Sequence, residues 1–491
     1  MRIRPRPHQN KLAAFAGQPV VSAAPAGPQP AVPAAPPTPA NVRSAERLDR
    51  LPTSPWLAWI MALLFLGWLV ESYDIGLIGN VLPSLSAIYH LSAGEKSLLA
   101  TASTIGIVVG ILPAGYLADR FGRKRVFLAG ILVYSVLTFV TGLVSGAVAV
   151  FVLRLLAGLG MGAVFPIPYA LGSEFVPARI RGRFTGLADS FLSWGYFLAP
   201  LLAIWLIPTT TSNGWRTMFF LGGVPVLYFF AVWKWVPESP RWHEIKGHAD
   251  KAEAILADIE RRVEQATGPL PPLGPQLPVI HSEGRVPLRT LFSRTYSRRT
   301  AMLWTVFGGS FFIFYAIQVY MPTVVHKLGY TITSTFILTS IIVGVSIPGK
   351  FFEAWVVERW GRKPVIVSFT LIAAIASFLF GFLGGKVGGV AVILFFACVM
   401  SFFGISVDPA VKVYTAESYP TRVRATGTNA TEGFGRIISG IVGPAIIPFL
   451  LAASGVPAAY SLVGAVALVA VLAIVVLGGE TKGQALEEIS Q

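Results

Sequence analysis

The sequence predicts an all-α membrane protein with twelve transmembrane helices in two pseudo-symmetric six-helix bundles. Three observations predict it. Of 491 residues, 54% are hydrophobic and only 13% are charged, whereas a soluble domain carries about a quarter charged residues. The apolar residues gather into segments of about 20, the length that crosses a bilayer. The chain also repeats itself: GYLADRFGRKR at 115–125 returns as AWVVERWGRKP at 354–364, and EFVPARIRG at 174–182 returns as ESYPTRVRA at 417–425. Two unrelated motifs recur in the same order at nearly one offset, Asp119 to Glu358 and Glu174 to Glu417. Repeated halves of this kind are how many membrane transporters are built.

Residues 1–55 read as a disordered cytoplasmic tail. Arg2, Arg4, Arg6 and Lys11 precede a Pro/Ala-rich stretch at 17–41 with too little apolar surface to fold. No apolar core follows the basic start, so it does not read as a secretory signal. The N-terminal bundle, 56–236, holds segments near 56–82, 97–117, 126–146, 148–172, 184–206 and 216–236. A polar central loop, 237–300, contains an amphipathic helix around 244–264 and the Pro-rich linker GPLPPLGPQLP at 268–278. The C-terminal bundle, 301–478, holds segments near 301–325, 335–357, 364–384, 388–412, 427–452 and 457–478. Residues 479–491 form a second cytoplasmic tail.

The net charge of +15 does not point to nucleic acid, because the basic residues sit in short loops between apolar runs. Arg120, Arg123, Lys124, Arg125, Arg179, Arg181, Arg183, Arg359, Arg362, Lys363, Arg422 and Arg424 occupy one set of loops. The alternate loops hold little more than Lys96, Arg216, Lys327 and Lys386. By the positive-inside rule the basic loops, both termini and the central loop are expected in the cytoplasm, as for a multi-pass protein of a bacterial inner membrane. One cysteine, Cys398, excludes a disulfide framework or thiolate cluster. The histidines are scattered, no GxxxxGK[ST] loop is present, and no nucleophile constellation appears. An enzyme, an ATP-driven pump, a metal and a cofactor are therefore not expected.

The paired loop motifs resemble the signature of the major facilitator superfamily. Arg154-Leu-Leu-Ala-Gly158-Leu-Gly160-Met-Gly162, Pro237-Glu-Ser-Pro-Arg-Trp242 and Glu480-Thr-Lys-Gly483 with Leu486-Glu487-Glu488 resemble motifs of its sugar-porter-like members. Tyr414-Thr-Ala-Glu417-Ser-Tyr-Pro420-Thr-Arg422-Val-Arg424-Ala-Thr-Gly427 resembles the form found in synaptic-vesicle-glycoprotein-like, nicotinate and metabolite–proton symporter branches. Two departures bear on substrate. Where sugar porters carry QQxxGxNxxxYY, residues 310–322 read SFFIFYAIQVYMP. Where aromatic-acid symporters carry DGxD, this chain has Glu71-Ser72-Tyr73-Asp74, keeping both carboxylates but not the glycine. The resemblance implies a gating network of Asp119, Arg120, Arg123, Glu174 and Arg181, with its second copy Glu358, Arg359, Arg362, Glu417 and Arg424. Within it, Glu174 pairs with Arg181 and Glu417 with Arg424.

Ionisable residues inside a membrane are costly and usually have a task. Glu71 and Asp74 are three apart on one helical face, at a depth similar to Arg154. Two close carboxylates do not both ionise easily. In the resembled fold the first and fourth spans are neighbours, and an Asp–Arg pair at these positions is the proton-coupling element of several relatives. The resemblance therefore implies that Asp74, assisted by Glu71 and paired with Arg154 when charged, is the proton carrier. Asp189 is expected to line the cavity or, in preference, to pair with a basic loop, and Lys350 to pair with Glu353. Asp408–Lys412 and Glu432–Arg436 are i,i+4 pairs with gate or structural roles, Arg436 having a rival role as receiver of an anionic substrate. Tyr315 and Gln318, with Trp194, Tyr196 and Arg436, are the substrate-binding candidates.

The leading functional reading is a proton-coupled symporter that moves a small organic solute, foremost an organic or aromatic acid, by alternating access. The alternatives are a sugar or polyol porter, a uniporter, and a non-transporting sensor. The expected partners are the substrate, protons and the lipid bilayer, the expected state a monomer.

Overall fold

The computed structural model describes residues 43–207, 213–273, 287–384, 389–420 and 423–482, without the side chains of 181–183, 185–186 and 425. Among the described residues every regular element is helical, and twelve spans are long and apolar enough to cross a membrane. Spans 1 to 6 are Pro55–Tyr89, Ala93–Phe121, Arg123–Thr141, Ala147–Phe175, Leu187–Leu206 and Gly214–Trp235. Spans 7 to 12 are Ser297–Lys327, Ile332–Trp360, Arg362–Leu383, Gly389–Ser418, Thr426–Ala453 and Gly455–Leu477. Local chemistry sets their ends. Ser54 caps span 1 ahead of Pro55, and Ser92 and Glu95 form a reciprocal capping box on span 2. Gly122 and Gly361 turn the chain between spans 2 and 3 and between spans 8 and 9. Their φ of 104° and 100° lies where a side chain is strained.

Five spans are interrupted. Span 4 breaks at Phe165 before Pro166, span 6 at residues 223–224 before Pro225, span 8 at Val345, and span 10 at residues 405–407 ahead of Asp408-Pro409. Span 11 passes through a π-helical turn, Ile438–Val442, before Gly443-Pro444. Proline lacks the N–H that continues the ladder and clashes with the carbonyl a turn earlier. The breaks in spans 4, 10 and 11 therefore follow from local sequence. At the break in span 4 the Phe165 carbonyl accepts from the Trp68 indole at 3.3 Å.

Two regions differ from the sequence reading. Residues 43–55, assigned to a disordered tail, are ordered: Ser44–Asp49 is a helix, and Leu48 and Leu51 are buried. The central-loop helix is in fact two, Pro240–Ile245 and Ala249–Thr267, divided at Gly247. The second helix buries Ala252, Leu256, Ile259 and Val263 and holds the N-terminal segment by charge. Arg47 pairs with Glu253 at 2.5 Å and Glu260 at 2.6 Å, and Arg50 with Glu260 at 2.7 Å. Burial alone would raise the Glu260 pKa, but the bonds from Arg47 and Arg50 outweigh it and hold it below the ordinary value. The attachment is therefore complete above ~4.3, the ordinary glutamate value, and is lost as pH falls through the lower folded-state value. Residues 1–42, the end of the Pro-rich linker from 274 on and the end of the C-terminal tail lie outside the described residues.

Small residues bring spans 2 and 4 into backbone contact. A Cβ on Gly106 would collide with the carbonyl of Leu155, and one on Gly158 with that of Ser103; Gly162 lies equally close to Gly110. This close approach replaces a hydrophobic drive that lipid does not supply. At the end opposite the basic loops the halves meet where span 1 crosses span 7. There Gly79 lies against the backbone of Gln318 and Val319.

Gly106→Ala is expected to destabilise the protein by about 1–3 kcal/mol through overpacking. Gly115→Ala, with open space at its Cβ, is expected to be neutral or stabilising, since alanine favours a helix by about 1 kcal/mol over glycine. Thermal denaturation in detergent distinguishes the two.

Candidate functional site

Asp74 and Arg154 are fully buried inside the N-terminal half. Arg154 grips the carboxylate with both terminal nitrogens, at 3.0 and 2.6 Å, and Thr138 of span 3 donates to Asp74 at 3.1 Å. This two-pronged geometry is the strong form of the arginine–carboxylate pair. The expected meeting of spans 1 and 4 is thus present. Glu71 lies one turn away but faces a different environment. It is completely buried, and neither carboxylate oxygen has a hydrogen-bond partner. Its facing charges include Arg436 of span 11 as well as Asp74.

Arg436 belongs to a cavity between the halves, lined by Phe165, Tyr196, Phe314, Tyr315, Lys350 and Lys412, among others. The helix breaks at 165, 405–407 and 438–442 all lie at or beside this cavity. The Arg436 guanidinium sits over the Phe165 ring, 4.0 Å from its centroid, and donates to Glu432 at 3.0 Å; its Nε has no partner. The Tyr315 hydroxyl lies between Thr104 and Arg436, and Tyr196 meets Phe314 edge to face at 4.9 Å. The cavity thus offers cations and several aromatic rings, and the unpartnered Glu71 carboxyl lies behind its lining, within the field of Arg436.

Two substrate candidates stand apart from it. Trp194 is 48% exposed, because five residues along a helix turn it about 140° away from Asp189; it leaves the binding-site set. Gln318 is buried at the crossing of spans 1 and 7, with its Nε2 unpartnered, rather than beside Tyr315 in the cavity lining.

Toward the basic loops the cavity ends in a charged cluster. Asp189 does not join a basic loop: it accepts from Lys412 of span 10 at 2.9 Å and from Tyr169 at 3.1 Å. Lys412 also meets Asp408 at 3.2 Å. Lys350 does not satisfy Glu353 but donates to the Asp189 carbonyl at 2.8 Å. Of the pairs that spacing suggested within one helix, Asp408–Lys412 and Glu432–Arg436 are present, whereas Lys350 takes a partner in the other half instead of Glu353.

At the basic end one network is built twice. In the first half Glu174 is bound by Arg123 and by Ser239. Glu238 accepts from the Lys124 backbone at 2.9 Å, capping span 3. In the second half Glu417 is bound by Arg362 at 3.3 Å and Thr481 at 2.6 Å, and Glu480 accepts from the backbone of Arg362 and Lys363 at 3.0 Å each. Glu238-Ser239 and Glu480-Thr481 are thus equivalent. Their matching place after the last span of each half was a readable signal that the candidate set did not use. Of the remaining gating candidates, the Asp119 carbonyl accepts from Trp242, Arg120 donates to the Tyr116 hydroxyl, and Glu358 is exposed near Arg362 at 3.8 Å. Arg359 stacks on Trp355, and Arg424 donates to the Tyr419 carbonyl. The Arg181 side chain lies outside the described residues, and with it the expected Glu174–Arg181 pair.

Twelve spans in two halves, with a charged and aromatic cavity between them, define a multi-pass membrane transporter of the major facilitator type. Residues 59–491 match the family model "Sugar (and other) transporter", and the chain belongs to that family. It is 33% identical to the niacin transporter NiaP of Acinetobacter baylyi, covering 86% of this chain and 94% of that protein. It is 27% identical to a gallate transporter of Pseudomonas putida, over 85% and 91% of the two chains. The xylose transporter XylE of E. coli in an inward-open conformation shares the fold with a TM-score of 0.70 at 21% identity, over 88% of this chain and 99% of that one.

Asp74→Asn leaves the Arg154 charge buried without its counter-ion and is expected to destabilise the protein by about 3–5 kcal/mol. Adding Arg154→Gln is expected to recover a large part of that loss. Equal melting temperatures for Asp74→Asn and wild type would contradict the pairing.

Proposed function

We propose that this transporter is a proton-coupled symporter of small aromatic carboxylic acids, working by alternating access in the cell membrane with its basic end toward the cytoplasm. The observation that carries this reading is the cavity itself, where a buried arginine with a free Nε sits among aromatic rings, with the buried, unpartnered Glu71 carboxyl in its field behind the lining. Arg436 receives the substrate carboxylate. Phe165, Tyr196, Phe314 and Tyr315 pack on the planar ring, for which offset and edge-on aromatic contacts are favourable. The niacin, gallate and 4-hydroxybenzoate transporters among the relatives carry substrates of this kind. A hexose, with many hydroxyls and no charge, would bring no anion to the free Nε of Arg436.

Glu71 supplies the coupling. As an anion it competes with the substrate for Arg436; once protonated it leaves the arginine to the incoming acid. Proton binding and acid binding then favour each other. Asp74, locked to Arg154 one turn further on, is the second element of the coupling group and senses the charge on Glu71. Arg123–Glu174 and Arg362–Glu417 act as gating elements at the basic end.

Proteoliposomes with an alkaline interior test this. Wild-type protein is expected to accumulate nicotinate or 4-hydroxybenzoate but not glucose. Arg436→Gln is expected to lose at least ten-fold in apparent affinity for the acids. Glu71→Gln is expected to exchange labelled acid across the membrane without accumulating it. Uptake of hexoses alone, or pH-driven accumulation by Glu71→Gln, would refute the proposal.

A further inference from the structure

The charged cluster at the basic end of the cavity does not balance. It holds three acids, Asp189, Glu353 and Asp408, and two bases, Lys350 and Lys412. Asp189, Lys350 and Glu353 are each less than a tenth exposed. Asp189 and Asp408 share Lys412, whereas Glu353 has no ion pair among the described residues and its Oε1 has no hydrogen-bond partner. The charges facing Glu353 are Lys350 on its own span, Asp189 from span 5, Asp408 from span 10 and Arg362 from span 9. Arg362 is itself engaged by Glu417 and lies near Glu358. Glu432 of span 11 approaches Lys412 but is held by Arg436. With all five groups ionised, the cluster carries one uncompensated negative charge where burial makes such a charge expensive. One proton cancels it, and Glu353 is the acid without a cation of its own.

The balance changes when the halves part. Asp189 leaves with the N-terminal half. Lys350 and Lys412 remain with Asp408 and Glu353, two charges of each sign. Lys350, released from the Asp189 carbonyl, is then one turn from Glu353 on the same helix face. We infer that Glu353 is a proton-binding site tied to the gate at the basic end: it holds a proton while Asp189 and Lys412 are joined and releases it when they separate. Raising the pH therefore opens this end, by up to about tenfold in the open-to-closed ratio per pH unit for a one-proton linkage. The inference needs movement between the halves but no particular substrate, so failure of the aromatic-acid reading would leave it standing.

The test uses full-length protein in nanodiscs without substrate. Spin labels are placed at Leu187→Cys on span 5 and Val413→Cys on span 10, both exposed, in a Cys398→Ser background. Electron-spin distance measurements then follow the closed population across the neutral pH range. Wild type is expected to open as pH rises. Glu353→Gln, neutral at every pH, is expected to stay closed with no pH response. Asp189→Asn removes the clamp and the excess charge together, and is expected to stay open with no pH response. A wild-type pH profile in Glu353→Gln or Asp189→Asn would overturn the inference. Should Glu353→Gln fold poorly, Asp189→Asn decides the matter by itself.

Discussion

An ionised side chain inside a bilayer-spanning bundle needs an opposite charge within reach, because neither lipid nor apolar helices solvate it. This constraint organises the interior. Asp74 and Arg154 satisfy each other within one half, so that pair does not depend on how the halves sit. Lys412 is shared between Asp189 of one half and Asp408 of the other, so its environment changes whenever the halves move. Glu71 and Glu353 satisfy the constraint least in this arrangement. On the proposed function, these two carboxyls are where charge is exchanged for protons.

If the halves move as the proposed alternating access requires, the duplication confines that movement to the boundary between them. Each half closes its own basic end with a glycine turn, an arginine–glutamate pair, a second glutamate capping the turn and a hydroxyl on the first glutamate. These bonds lie within a half and survive a change in the angle between halves. The contacts that cross include backbone packing at Gly79 against span 7, aromatic contacts in the cavity such as Tyr196 on Phe314 and Arg436 over Phe165, and the bonds of Lys412 and Lys350 to Asp189 near the basic end. Charge holds the basic end and packing the opposite one, so protonation of the cluster acts on the basic end.

Much of this was legible in the sequence because it is local. Hydropathy over about 20 residues locates a span wherever it packs, and a turn such as FGRKR carries its glycine and charges with it. The meeting of Asp74 and Arg154 followed from the neighbouring helices that the family resemblance implied. What was not legible depends on the face a side chain presents in three dimensions. Trp194 looked like a ring for the cavity, but helical rotation puts it outside. Lys350 and Glu353 looked like a pair because they are three apart, but the stronger partner of Lys350 lies 161 positions away in the other half. Residues 43–55 looked like tail because their partners, Glu253 and Glu260, sit in a distant helix. The helix breaks had a local signal in Pro166, Pro409 and Pro444, but only the packed structure brings them to one cavity.

The central claim is that a proton enters with each acid molecule through Glu71. Proteoliposomes containing a trapped pH-sensitive dye, at equal starting pH on both sides, test it directly when nicotinate or 4-hydroxybenzoate is added outside. The account predicts prompt acidification of the interior by the wild-type protein and none by Glu71→Gln. Entry of the acid anion through the wild-type protein with the internal pH unmoved would contradict it.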